Sequence, residues 1–151
     1  MSLDREAIYS AMFARLQTMV TSAVFFTRHY EAWANVQQGQ QPALLFVATH
    51  QTNEEQRRYP TIWNLGADVV IYVSNLGDPS VSPDTQINQA IRQVETALER
   101  QSGEAGANDN FKTTLGGLCQ TCRINGTIEI TQGEAGGQGT VIIPIEMVAV
   151  A

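Results

Sequence analysis

The chain has 151 residues, of which 43% are hydrophobic and 16% charged, and its formal net charge at pH 7 is -6. This length suits one domain around one hydrophobic core, and the acidic balance excludes the basic surface that grips nucleic acid or anionic membranes. No run reaches the roughly 18 apolar residues of a membrane span and the N-terminus does not resemble a signal peptide, so a cytosolic protein without membrane contact is expected.

The first predicted element is an amphipathic helix over residues 2–20. Apolar residues recur at helical spacing along one face, namely Ile8, Met12, Leu16 and Met19. Ser2 is the candidate N-cap, and Asp4 and Glu6 suit the positive end of the helix dipole.

Three strands are predicted next, over residues 24–30, 43–50 and 61–74. The first is β-branched and aromatic, and the second is mostly apolar, which predicts burial on both faces or nearly so. The last of them is one long strand or two pieces broken near Gly66. Residues 51–58, with the sequence QTNEEQRR, form a polar and charged connection between the second and third strands.

A second helix is predicted over residues 85–101, after a turn-rich loop that ends at a candidate N-cap, Asp84. Its apolar positions are spaced for packing on a sheet: Ile87, Ala90, Ile91, Val94, Ala97 and Leu98. Ser102 and Gly103 end this helix.

The remaining strands are predicted over residues 118–124, 127–131 and 140–148. Asn125-Gly126 is a strong hairpin signal and predicts that the first two of these strands pair with each other. Pro144 cannot donate a ladder hydrogen bond, so it favours an edge position or a bulge in the last strand.

These elements predict an α+β fold in a single mixed domain over residues 1–151. The order is α-β-β-β-α-β-β-β, with a largely antiparallel sheet and two helices packed on one face. Mobile loops are expected at about residues 51–58, 103–110 and 132–139, because these segments are charged or glycine-rich and offer no apolar anchor.

No pattern of residues indicates catalysis, a cofactor or a metal site. Cys119 and Cys122 have the spacing of a redox site or of half a zinc site, but the second cysteine pair that zinc would need is lacking. If residues 118–124 form a strand, the two side chains point to opposite faces and cannot share a metal or a disulfide, which predicts two free, nearly buried thiols. His29 and His50 lie at predicted strand ends and are expected to be structural.

The densest charged cluster consists of Glu54, Glu55, Arg57 and Arg58, followed by Tyr59. One interpretation is a solvated loop. The other is a projecting loop that contacts a partner, since arginine and tyrosine are common anchors of protein interfaces.

The order of the short motifs along nearly the whole chain resembles the tail terminator, or tail completion, proteins of long-tailed bacteriophages. The motifs are Arg5-x-x-Ile8, Thr27-Arg28, Pro42-Ala43-Leu44, Ile71-Tyr72-Val73, Ile87-Asn88-x-x-Ile91, Thr114-Leu115-Gly116-Gly117, Ile124-Asn125-Gly126-x-Ile128-Glu129 and Pro144-Ile145. The Thr-Leu-Gly-Gly segment followed by a strand and Asn-Gly is the most characteristic part.

The resemblance implies a structural virion protein without enzymatic activity. Members of the family form a hexameric ring on the head-proximal end of the tail, having assembled in the host cytoplasm. The implied partners are further copies of the chain, the major tail tube protein and the head-tail connector, while DNA passes through the ring without specific binding. A connector or stopper ring protein is the alternative within the virion, and a small cytosolic enzyme or ligand-binding domain is the alternative outside it.

Overall fold

A computed structural model describes residues 3–32, 35–36, 38–55, 57–74, 83–104, 111–132 and 138–151. Within these ranges the chain forms two helices and a six-stranded mixed sheet in the predicted order, so the predicted α+β fold is confirmed. The elements are α1 (Arg5–Met19), β1 (Phe25–Thr27), β2 (Ala43–Glu54), β3 (Ile62–Ser74), α2 (Pro83–Ala97), β4 (Thr121–Ile124), β5 (Glu129–Gln132) and β6 (Gln138–Val150).

The sheet has the order β1-β2-β3-β6-β4, and β5 pairs with β6 along the same edge as β4. The β1–β2 pair is parallel, whereas β2–β3, β3–β6, β4–β6 and β5–β6 are antiparallel. The longest ladder joins β3 to β6 without a break, from Ile62 opposite Val150 to Ser74 opposite Gln138. These two strands form the centre of the sheet.

The main core lies between both helices and one face of the sheet, called here the helix face. Because alternate residues of a strand point to the same face, β3 and β6 each supply every second residue to this core. The central members, all buried, are Ile8, Met12 and Leu16 of α1, Ile87 and Val94 of α2, Leu98 just after it, Leu65, Val69 and Ile71 of β3, and Val141, Ile143 and Met147 of β6. The predicted placement of both helices on one face is therefore correct.

The opposite face of the sheet, called here the open face, has only a small apolar cluster near β1. It consists of Val36, Ala43, Leu45, Val70 and Tyr72. The Tyr72 hydroxyl donates to the Glu31 carbonyl at 2.7 Å, which holds the segment after β1 over this cluster. Farther along β3 and β6 the open face becomes polar, with Asp68 and Glu146 taking the places of apolar residues.

Both helices have boundaries that differ from the predicted ones. The α1 N-cap is Asp4, whose carboxylate accepts the Ala7 N–H at 3.0 Å, so the helix begins after the predicted start at Ser2. The second helix covers Pro83–Ala97, and Asp84 lies in its first turn. It ends earlier than predicted, and the backbone after it bonds instead to residues 111 and 113, through Arg100 N–H to Phe111 O and Thr113 N–H to Leu98 O. Arg15 of α1 donates hydrogen bonds to the carbonyls of Ala97 and Glu99 at this helix end. No helix in the described ranges is long and apolar enough to cross a membrane.

The Asn125-Gly126 prediction is wrong, because β4 and β5 do not pair with each other. Both strands run antiparallel to β6 and lie end to end along it, so the chain between them continues in one direction. Residues 125–128 of this edge stand opposite Ile143 and Pro144 of β6, which makes an insertion of two residues. The prediction of an edge position or a bulge at Pro144 is therefore wrong for the last strand itself, because β6 is paired on both sides and regular against β3; the irregularity lies in the neighbouring edge.

Candidate partner-contact surface

The outer half of β2 pairs with the outer half of β3, and its exposed side chains and the turn that joins the two strands lie beyond the main core. On its other side this part of β3 still pairs with β6, from Ile62 to Leu65. We call residues 48–62 the arm; residue 56 lies outside the described part of the chain. Residues 48–55 and 57–60 are all exposed. The segment 51–54, predicted to be loop, belongs to β2, because backbone pairing of Gln51 with Leu65 through Glu54 with Ile62 continues where the buried side chains end.

The arm begins at a β-bulge. Ala48 is opposite Ala67 and Gln51 is opposite Leu65, so Thr49 and His50 together face the single residue Gly66. The strand β3 therefore continues through Gly66, and the irregularity lies in β2. The imidazole of His50 covers Gly66 so closely that a Cβ atom there would be 2.5 Å from its Cε1 atom.

Arg5 holds the base of the arm against the start of α1. Its Nε donates to Oε1 of Gln51 at 2.6 Å, and its guanidinium carbon lies 4.3 Å from the ring centroid of Trp63. A guanidinium at this distance over an indole makes a favourable cation–π contact. The sequence analysis missed this role, because one arginine at a helix start has no pattern that indicates a contact 46 residues away.

The tip of the arm carries all five residues predicted to contact a partner. Glu54 ends β2, while Glu55, Arg57, Arg58 and Tyr59 lie in the connecting turn, and each of the five is exposed. Tyr59 is 70% exposed, and Arg58 has a φ of 74°, in the left-handed region. Within the described part of the chain, the four charged side chains form no ion pair.

The polar part of the open face is predominantly acidic. Glu146 is 5% exposed, and its carboxylate accepts hydrogen bonds from Arg123 at 2.6 Å and from the Asn125 amide at 2.9 Å. Burial raises the pKa of Asp68, the charge of Glu129 raises it further, and His50 acts in the opposite direction. Of these carboxylates, Glu146 is compensated by Arg123, whereas the ionised form of Asp68 is disfavoured.

The segment predicted to be mobile at residues 103–110 is anchored at its start. The side chain of Glu104 is 7% exposed and lies 3.6 Å from the Arg15 guanidinium. Its carboxylate also accepts the Thr113 hydroxyl and the N–H groups of Gln101 at 2.8 Å and Thr114 at 3.2 Å. The prediction of a mobile segment is therefore wrong at Glu104, which polar contacts anchor in place of an apolar one, and residues 105–110 lie outside the described part of the chain.

The cysteines are placed differently from the prediction, because the strand that carries Cys122 begins only at Thr121. Cys119 precedes it in a tight turn in which Leu115, Gly116 and Gly117 all have positive φ. This turn directs Cys119 into the main core, where its Sγ lies 3.5 Å from Sγ of Cys122. Both thiols are free and buried, as predicted, but the argument that separated them is wrong.

The two histidines and the glycine-rich loop do not form a second site among the residues that the structure describes. His29 and His50 are both exposed, and His50 contacts the Thr49 hydroxyl through Nδ1 at 3.1 Å. Gln132 and the pair Gln138–Gly139 belong to β5 and β6, so the predicted loop 132–139 is strand at both ends, and residues 133–137 lie outside the described part. Among the described residues, no group of three or more histidine, cysteine or acidic side chains is arranged to hold a metal ion.

Comparison of the chain with models of known protein families and with curated proteins finds no match. A functional assignment therefore depends on the motif order in the sequence and on the geometry of the arm.

Proposed function

We propose that this protein is a bacteriophage tail terminator, a structural virion protein that forms a ring on the head-proximal end of the tail tube. The proposal starts from the resemblance in motif order, which also supplies the hexameric ring. The structural observation that carries it is the arm, a hairpin with an exposed, charged tip that has no core of its own.

The arm is suited to a contact between protein subunits. The strand β1 pairs only with Ala43, Leu44 and Leu45, so among the described residues no strand pairs with the outer edge of β2 from Phe46 to Glu54. Soluble proteins generally cover or protect such an edge. In a ring, a neighbouring subunit or the next ring of the tail supplies that cover.

The charged tip gives this contact its specificity. Arg57 and Arg58 have no ion pair within the described part of the chain, so their guanidinium groups are available to carboxylates of a partner. Charge-assisted hydrogen bonds of this kind orient two proteins as well as hold them together. Tyr59 adds a large, half-apolar surface beside the two arginines.

Termination follows from the shape of such a ring and requires no chemistry. One face copies enough of a tube subunit's surface to add as a last layer on the tube. The other face offers no site for another tube ring and instead receives the connector on the head. Growth stops because a binding surface is lost, and the acidic protein lets DNA pass without holding it.

The proposal is tested by deleting the gene from the phage that encodes it and imaging the lysate. Overlong or headless tails are expected, and restoring the gene in trans should restore uniform, head-attached tails. Normal tails in the deletion lysate would contradict the proposal. If the protein is found on isolated heads and not on isolated tails, the connector or stopper alternative is favoured.

The role of the arm is tested in the same complementation assay. Arg57→Glu/Arg58→Glu should keep the fold and yield markedly fewer infectious particles, because it replaces attraction by repulsion at the tip. Arg92→Glu, at an exposed position on α2, is the charge-reversal control and should complement normally. If both variants complement equally well, the arm tip does not take part in the contact.

A further inference from the structure

The two cysteines of the chain form an isolated thiol pair in the main core. We propose that Cys119 and Cys122 are a redox-active dithiol, which a low-molecular-weight disulfide such as oxidised glutathione converts to an intrachain disulfide in the folded protein. The 3.5 Å separation of the two sulfurs, with one cysteine in a turn and the other in a strand, carries this inference. It does not depend on the proposed function.

The geometry needs only a small movement to form the bond. A disulfide has a sulfur–sulfur distance of about 2.05 Å, so the two atoms must approach by roughly 1.5 Å. Cys122 is held by the β4–β6 ladder opposite Met147, whereas Cys119 lies outside any strand. Gly116 and Gly117 in the preceding turn are exposed and have no neighbouring heavy atom within 4 Å of an added Cβ, so a small displacement of Cys119 does not push these two residues into packed groups.

The two thiols have different environments, which assigns a role to each. A hydrogen bond from the Cys122 thiol lowers the pKa of Cys119. The same pairing, together with burial, raises the pKa of Cys122. Cys119 is also the more accessible, at 7% exposed against 0% for Cys122. Cys119 is therefore the attacking thiolate and Cys122 the resolving thiol.

The reaction consists of two thiol–disulfide exchanges. The Cys119 thiolate attacks one sulfur of oxidised glutathione, so that a mixed disulfide forms, the glutathione disulfide bond breaks and one glutathione thiolate leaves with a proton from solvent. Cys122 then loses its proton and attacks Sγ of Cys119. The intrachain bond forms as the mixed disulfide breaks and the second glutathione leaves. Two protein thiols are oxidised and one glutathione disulfide is reduced to two thiols.

The test is an equilibrium of the purified protein with glutathione redox buffers, followed by acid quenching, alkylation of free thiols and mass spectrometry. We expect a species that has lost two hydrogen atoms, takes up no alkylating agent and carries no glutathione. The same equilibrium in urea measures the unfolded chain. The effective concentration of the pair should be at least about tenfold higher in the folded protein, because the fold holds the sulfurs together.

Single variants separate the two roles. Cys122→Ser should accumulate the mixed disulfide on Cys119, because no resolving thiol remains. Cys119→Ser should keep a free Cys122, which is fully buried. If a buried hydroxyl prevents folding, alanine is used in place of serine at the same positions. The ratio of the effective concentrations in the folded and unfolded parent protein is measured without any variant. The proposal is overturned if the thiols stay reduced in all buffers or if only disulfide-linked dimers form. It is also overturned if the effective concentration is no higher in the folded than in the unfolded protein.

Discussion

At the scale of single residues, the contact between His50 and Gly66 determines how the arm leaves the sheet. The bulge places two residues of β2 opposite Gly66, and the extra residue turns the His50 imidazole onto the backbone of β3. Any side chain at position 66 would occupy the space of that ring. The Gly66 carbonyl also accepts the Tyr9 hydroxyl at 3.0 Å, so α1 is tied to the same point.

A double-mutant cycle tests this contact. Gly66→Ala should destabilise the parent protein, but in a His50→Ala background it should be neutral or stabilise by about 0.5–1 kcal/mol, since alanine suits a strand better than glycine. Urea unfolding of the parent, both single variants and the double variant gives the coupling free energy, expected at about 0.5–3 kcal/mol. A coupling near zero would mean that the imidazole moves aside without cost.

At the scale of elements, Pro144 explains why the edge of the sheet is split into β4 and β5. The N–H and C=O of one strand residue point to the same side, and the Pro144 carbonyl accepts the Asn125 N–H at 3.0 Å. The missing N–H of Pro144 therefore faces the β4–β5 edge, where a continuous strand would lack a donor. Gly126 fits there with a φ of 122°, and a Cβ atom on it would be 3.2 Å from the proline ring.

The packing of α2 is also a property of an element, and its two isoleucines differ in burial. Ile87 is fully buried, whereas Ile91 is half-buried. Ile87→Ala should lower the free energy of unfolding by about 2–5 kcal/mol through lost apolar burial and a cavity, and Ile91→Ala by less. Thermal or urea unfolding measures both, with Asn88→Ala at an exposed position of the same helix as the control. The reverse ranking would contradict the orientation of α2.

At the scale of the whole molecule, Glu104 joins parts of the chain that no local pattern connects. Its carboxylate contacts Arg15 of α1, the backbone after α2 at Gln101 and the segment before β4 at Thr113 and Thr114. Burial by itself would raise the pKa of Glu104. The hydrogen bonds and the Arg15 charge outweigh burial and lower the pKa to about 2.

This lowered pKa predicts how global stability depends on pH. The folded state favours the ionised carboxylate, so its contribution is fully present above the unfolded pKa of about 4.5 and is lost as the pH falls towards 2. Glu104→Gln should lower the free energy of unfolding by about 1.5–3 kcal/mol at pH 7. The NH2 group of the new amide is a donor, and it would face two other donors, the N–H of Gln101 and the Arg15 guanidinium. Urea unfolding at pH 7 and pH 3 should give a smaller difference at pH 3.

An exposed glutamate provides the control for this measurement. Glu95→Gln on α2 should change stability little at either pH, since Glu95 forms no ion pair within the described part of the chain. If Glu104→Gln loses the same free energy at both pH values, its cost comes from packing and not from the charge of the carboxylate.

The sequence by itself determined the kind and order of the elements. Apolar residues at helical spacing located α1 and α2, and short runs of apolar and β-branched residues located β2, β3 and β6, because these patterns follow from the local backbone geometry. The five tip residues were also predictable as one cluster, since they lie within the short segment 54–59 of the chain. The extent of the arm was not, because a strand exposed on both faces has no alternation of polar and apolar residues.

Only the tertiary structure decided which of these elements and side chains meet. Asn125-Gly126 is a hairpin signal in isolation, but both neighbouring strands pair with β6 instead of with each other, and Pro144 lies opposite the break between them. Cys119 and Cys122 meet because three consecutive residues with positive φ turn the chain just before β4. Glu104 is anchored by groups 3 to 89 positions away in the chain. Such contacts depend on how separate segments pack together, and no local periodicity encodes them.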